Sequence, residues 1–146
     1  MRREQYKQYN KAVRIIEHEF KYKTDKGGKP YIEHLHRVSS RFRNRKHRIV
    51  GLLHDLVEDC ENWNEDKLRA EFSDYICDAV ICLTKKKHET YLDYLERVKS
   101  NNIAVEVKIA DLEDNMDIKR LKEITDKDIV RIRKYHKAWV ELTSLK

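Results

Sequence analysis

The stretch Ile49-Val50-Gly51-Leu52-Leu53-His54-Asp55-Leu56-Val57-Glu58-Asp59 is apolar on nearly every side of a helical projection as far as Val57, yet it carries four ionisable groups. A helix that is apolar all round belongs inside a fold. Charged groups in such a place are costly unless they are paired or bound to a metal. Glu58 follows His54 by four residues and Asp55 by three, one helical turn on. The segment predicts a central buried helix with a polar stripe.

Two further segments repeat the pattern. Residues 103–116 carry Val105, Val107, Ile109, Ala110 and Leu112 around Asp111, with Asn115 one turn later and Lys108 close enough to pair with the aspartate. Residues 31–42 place Ile32, Leu35, Val38 and Phe42 at helical spacing, and Ile32 and Leu35 bracket His34 on the inward face. If the three stripes meet, His34, His54, Asp55 and Asp111 form a two-nitrogen, two-oxygen set. Such a mixed set suits Mn, Fe, Co or Zn. It is not the thiolate-rich set of a structural zinc, and open positions left to water make a site catalytic. Glu58 is placed to act as general base. Asp59 could orient the water or steady His54.

The rest of the chain reads as helices. Three of its four Gly and Pro residues fall together in Gly27-Gly28-Lys29-Pro30, and the fourth is Gly51. An all-β fold needs more turn residues than that. The expectation is one all-α domain over residues 1–146, a bundle of seven or eight helices around a metal site. Helical faces run over 2–22, 64–72 with Asn64 as cap, 73–83 capped by Ser73, 91–98, and 126–144. Thr125 and Asp128 make a capping box before the last of these. The 27–30 break reads as a ligand loop, because glycine lets backbone approach a ligand closely. Lys26 and Lys29 flank its glycine pair. Lys85-Lys86-Lys87-His88, in a second loop, offers Lys86 as a further cation for an anionic substrate. The competing reading of these lysines is a solvated surface.

Of the 146 residues, 40% are charged and 40% apolar, with 32 Lys and Arg against 26 Asp and Glu, a net charge of +6. A chain this long can bury about two-thirds of its unfolded surface, which argues against disorder. The positive excess favours anionic partners. A nucleic-acid-binding module using Arg41–Arg48 ranks below a phosphorylated small molecule, since it leaves the buried acids unexplained. No apolar run approaches the roughly 18 residues of a membrane span. The start lacks the apolar stretch of a signal peptide, so a cytoplasmic protein is expected. Cys60, Cys77 and Cys82 form no CxxC pair and read as reduced thiols. Trp63 and Trp139 read as packing anchors. The sequence leaves the oligomeric state open.

Three segments carry a family resemblance: Gly28-Lys29-Pro30-Tyr31-Ile32-Glu33-His34, Leu52-Leu53-His54-Asp55-Leu56-Val57-Glu58-Asp59, and Lys108-Ile109-Ala110-Asp111-Leu112-Glu113-Asp114-Asn115-Met116. They resemble the signature segments of the HD-domain hydrolases, and more narrowly the alarmone hydrolase domain of the RelA/SpoT group, the enzymes of the stringent response. Tyr91-Leu92-Asp93-Tyr94-Leu95-Glu96-Arg97-Val98 resembles the helix before the third segment. The resemblance covers about residues 5–120. It implies an all-α bundle holding a divalent metal, usually manganese, on His34, His54, Asp55 and Asp111. It implies Glu58 and Asp59 as the acidic pair at the attacking water, Lys26 in the substrate loop, and Asn115 beside the ribose. The implied reaction removes the 3′-pyrophosphate of (p)ppGpp. Relatives resembling this group also act on NADPH. Asp25 stands where the group has an arginine that packs on guanine, which keeps a nucleotidase or NADPH phosphatase as the alternative. Leu112-Glu113-Asp114-Asn115 stands where many relatives read Arg-Leu-His-Asn. The chain has no room for a synthetase domain.

Overall fold

The computed structural model describes residues 2–145. Among them are nine α-helices and one short 3-10 helix, Ile118–Arg120. α1 is Arg2–Glu19, α2 Tyr31–Ser40, α3 Arg45–Leu53, α4 Leu56–Asp59, α5 Glu65–Glu71, α6 Asp74–Cys82, α7 Tyr91–Lys99, α8 Asn102–Asn115 and α9 Asp126–Thr143. α3 lies at the centre and packs against α1, α2, α6 and α8. Its Ile49, Val50, Leu52 and Leu53 are wholly buried, as its all-round apolar sequence requires.

The expected single helix over 49–57 is interrupted. α3 stops at Leu53, and Asp55 (φ −103°, ψ 0°) leaves helical geometry before α4 resumes at Leu56. Successive residues of an unbroken helix point about 100° apart. The break lets neighbouring His54 and Asp55 present side chains to one point.

Caps follow the sequence. Asn64 Oδ1 accepts from Lys67 N, and Thr125 and Asp128 complete the reciprocal box ahead of α9. Ser73 differs: it sits at the cap position of α6, but its hydroxyl and amide both donate to Gln8 Oε1 on α1. α1 ends at Glu19, three residues short of the expected 22. Three arginines of the basic run 41–48 are held by partners on other helices. Arg41 pairs with Glu113, Arg45 lies over the Tyr6 ring, and Arg48 over Tyr9.

The 24–30 loop closes on itself through an isolated bridge between Thr24 and Pro30. Asp25 N donates to Lys29 O, while Asp25 Oδ1 accepts from the amides of Gly27 and Lys29 at 2.9 Å each. Gly28 has φ +82°, which a side chain would strain. Pro30 then starts α2, four residues before His34.

Candidate metal centre

α2, the α3–α4 junction and α8 bring His34, His54, Asp55 and Asp111 together. One ligand atom from each lies within 4.8 Å of all the others. His34 Nε2 is 3.0 Å from Asp111 Oδ1 and 3.9 Å from Asp55 Oδ2. His54 Nε2 is 3.2 Å from each of the same two oxygens. Both histidines and Asp111 are buried.

The other ring nitrogens explain the orientation. His54 Nδ1 donates to the Gly51 carbonyl at 2.6 Å, and His34 Nδ1 lies 2.6 Å from Asp114 Oδ2. A carbonyl or carboxylate oxygen only accepts, so Nδ1 donates in both rings and Nε2 is the nitrogen turned toward the cluster. His34 Nε2 is buried and makes no well-aligned hydrogen bond, although Asp111 Oδ1 lies 3.0 Å away. Two imidazole nitrogens and two carboxylate oxygens at this spacing, one of them without a well-aligned hydrogen bond, fit a divalent cation.

The two aspartates also set the charge on the rings, and a divalent cation would take the place of the Nε2 proton. Burial opposes charge on His54, but Asp55 and Asp111 outweigh it and raise the ring well above its ordinary pKa. Burial would likewise raise Asp55, yet His54 draws it down to about 2. Asp111 is held well below the usual carboxylate range against its burial, chiefly by Lys108 and His54. Both carboxylates are therefore anionic at neutral pH. Lys108 Nζ and Asn115 Nδ2 bond Asp111 at 3.0 Å each, and the Tyr31 hydroxyl donates to Asp55 Oδ2 at 2.5 Å.

The comparisons bear on this geometry. No protein-family model matches the chain, and no curated protein matches it. A solved structure does: a metazoan ortholog of SpoT that hydrolyzes ppGpp and plays a role in starvation responses superposes with a TM-score of 0.76. The match covers 92% of this chain and 84% of that one at 19% identity. The chain has the SpoT-ortholog fold. At that identity the likeness speaks for the fold, and the site must be argued from its own residues.

In this SpoT-like fold a cavity of about 420 Å³ adjoins the four-residue cluster. Tyr31 and Asn115 line it, and each also bonds one of the clustered aspartates. Lys26 lines it from the 24–30 loop, and Tyr135 and Arg131 from α9. Arg120 lies 3.8 Å from Asp25 across one wall. Lys29 and Lys86 lie outside the lining and are exposed.

Glu58 and Asp59 stand at the exposed end of α4, not on an inward stripe. Neighbouring groups nonetheless desolvate the Glu58 carboxyl in part. Burial raises its carboxyl above the ordinary value despite an opposing bond from the Lys85 amide, and Asp55 and Asp59 push the same way. Asp59 pairs with Lys23 Nζ at 2.8 Å. Steadying His54 falls to the Gly51 carbonyl instead.

Several site residues escaped the sequence reading. Asp114, Arg37, Arg120, Arg131 and Tyr135 all touch the cluster's partners or the cavity. One usable signal existed. Arg37 lies three residues after His34 and Asp114 three after Asp111, so opposite charges repeat on the two ligand-bearing faces.

Proposed function

We propose that the chain is a metal-dependent phosphohydrolase that removes the 3′-pyrophosphate of (p)ppGpp in the cytoplasm, working with Mn2+. The observation that carries this reading is the His34, His54, Asp55 and Asp111 cluster, wired through Tyr31 and Asn115 to an adjoining cavity. The shared fold with a ppGpp-hydrolysing SpoT ortholog supports it. A divalent ion on these four residues would supply Lewis acidity toward a phosphoryl oxygen and lower the pKa of water from about 15.7 toward about 7.

The chain's own groups do the rest. Glu58, fixed by the Lys85 amide, takes the proton of the attacking water. Asp59, next in sequence and held by Lys23, would orient the same water. Asn115 fixes Asp111 Oδ1 and offers its remaining amide face to the ribose. Lys26 meets a phosphate in the cavity, which Arg131 and Tyr135 line from α9. Lys29 and Lys86 can serve only as outlying cations that draw in a polyanion.

Asp25 favours a second reading, in which another phosphorylated nucleotide is the substrate. Its carboxylate faces Arg120 at the cavity wall, at the position where the family resemblance puts an arginine against guanine. A substrate panel decides. With Mn2+ present, the purified protein should release pyrophosphate and GDP from ppGpp, and stop on chelation. Faster turnover of NADPH or a deoxynucleotide would move the assignment to the second reading. Salt-sensitive RNA or DNA binding that survives chelation, with no turnover, would replace both.

A further inference from the structure

We infer that Asp114 is a positioning residue for the metal ligand His34, clamped for that task by Arg37. Asp114 Oδ2 sits 2.6 Å from His34 Nδ1. Arg37 Nε donates to Asp114 Oδ1 at 2.8 Å, and its terminal nitrogen to Oδ2 at 3.1 Å. The planar guanidinium thus grips both carboxylate oxygens, which fixes their plane as well as their position. Arg120 adds a bond to the Asp114 carbonyl at 3.1 Å. His34 and Arg37 lie one turn apart on α2, and the carboxylate reaches between them from α8.

The consequence falls on Nε2. An imidazole free to rotate or change tautomer would turn its lone pair away from Asp55 and Asp111. A carboxylate at Nδ1 forbids both and raises the basicity of the ligating nitrogen. The alternative is a plain α2–α8 ion pair that only holds the helices together. Arg41 with Glu113 is such a pair, joining the end of α2 to α8 without touching a ligand.

This inference rests on the metal reading of the cluster and not on the substrate. The test titrates Mn2+ and Co2+ into the full chain by calorimetry and follows the visible Co2+ spectrum, for native protein, Asp114→Ala, Asp114→Asn and Arg41→Ala. Asp114→Ala should weaken binding by about 10- to 100-fold and alter the Co2+ bands. Asp114→Asn should recover part of the loss, since its amide oxygen still accepts from Nδ1. Arg41→Ala should stay within about twofold. Native-like affinity in Asp114→Ala, or an equal loss in Arg41→Ala, overturns the role. If Asp114→Ala does not fold, Arg37→Met carries the test: about a three- to tenfold loss supports the clamp, and none overturns it. Native protein that binds metal but leaves ppGpp intact defeats the substrate assignment alone. Native protein that binds neither ion defeats the positioning role with the metal site.

Discussion

The backbone amide of Lys85 donates to Glu58 Oε1 at 2.7 Å, tying the 84–90 loop to the end of α4. That bond aims the Glu58 carboxylate with a backbone group rather than a side chain. Glu58→Gln keeps an oxygen for the Lys85 amide and removes the basic site. Turnover should fall about 10²- to 10⁴-fold while metal affinity stays native. Near-normal turnover with metal bound would remove the base role.

The same carboxyl sets an acid limb. Burial raises the Glu58 pKa above its ordinary 4.5, with Asp55 and Asp59 adding to the shift and the Lys85 amide opposing it. A base works only when deprotonated, so kcat should rise with pH through a midpoint above 4.5 and be lost below it. Glu58→Gln should flatten that limb. A limb that survives in Glu58→Gln belongs to another group.

Asp55 and Asp111 should separate in stability while agreeing in metal binding. Either change to Ala should abolish binding. Asp111→Ala also strands Lys108, whose side chain is only 12% exposed and has Asp111 as its carboxylate partner. Leaving such a cation unpaired costs about 3 kcal/mol. Asp55→Ala removes a partner of His54 and of the Tyr31 hydroxyl, but Asp111 still faces His54, so no cation is left without a carboxylate and the cost should be smaller. Urea unfolding of the two variants checks the order, and equal midpoints would contradict it.

The four-residue cluster was legible because His34, His54 and Asp111 interrupt the apolar periodicity of three separate segments, and Lys108 accounts for only the last of them. The interruption between α3 and α4 was not, since His54-Asp55 reads as two residues of a continuing helix. Asp114 stayed hidden for a related reason. It lies beside Glu113 and Asn115 in a polar run, and only its partner on α2 shows which of the three turns inward. Tyr135 and Arg131 reach the cavity from the last helix, a distance in sequence that local spacing cannot bridge. Lys29 and Lys86 illustrate the converse. Proximity in sequence to the glycine pair, or membership of a lysine run, does not fix which way a lysine faces.

Gly27 separates substrate binding from metal binding. A Cβ there would stand 2.7 Å from the Arg120 carbonyl oxygen and 3.3 Å from its Cβ. Gly27→Ala should push the 24–30 loop off the 117–121 segment and open the cavity wall. KM for the nucleotide should rise severalfold, with kcat and metal affinity little changed. A KM identical to native would show that the loop does not grip substrate.

Gly51 tests the packing that aims both histidines. Its added Cβ would meet Ser39 Cα at 2.9 Å and Ser39 N at 3.1 Å. Both are backbone atoms, so α2 must move as a body. In an exposed helix Gly→Ala would gain about 1 kcal/mol from propensity. Here overpacking costs about 1–3 kcal/mol, so the net change should be destabilising. The displacement also reaches the metal cluster. α2 carries His34, and the Gly51 carbonyl holds His54 Nδ1. Gly51→Ala should therefore lower the melting temperature and weaken metal binding together. A higher melting temperature would mean that α2 and α3 have room to spare, and that the contact at Ser39 does not set the separation of the two histidines.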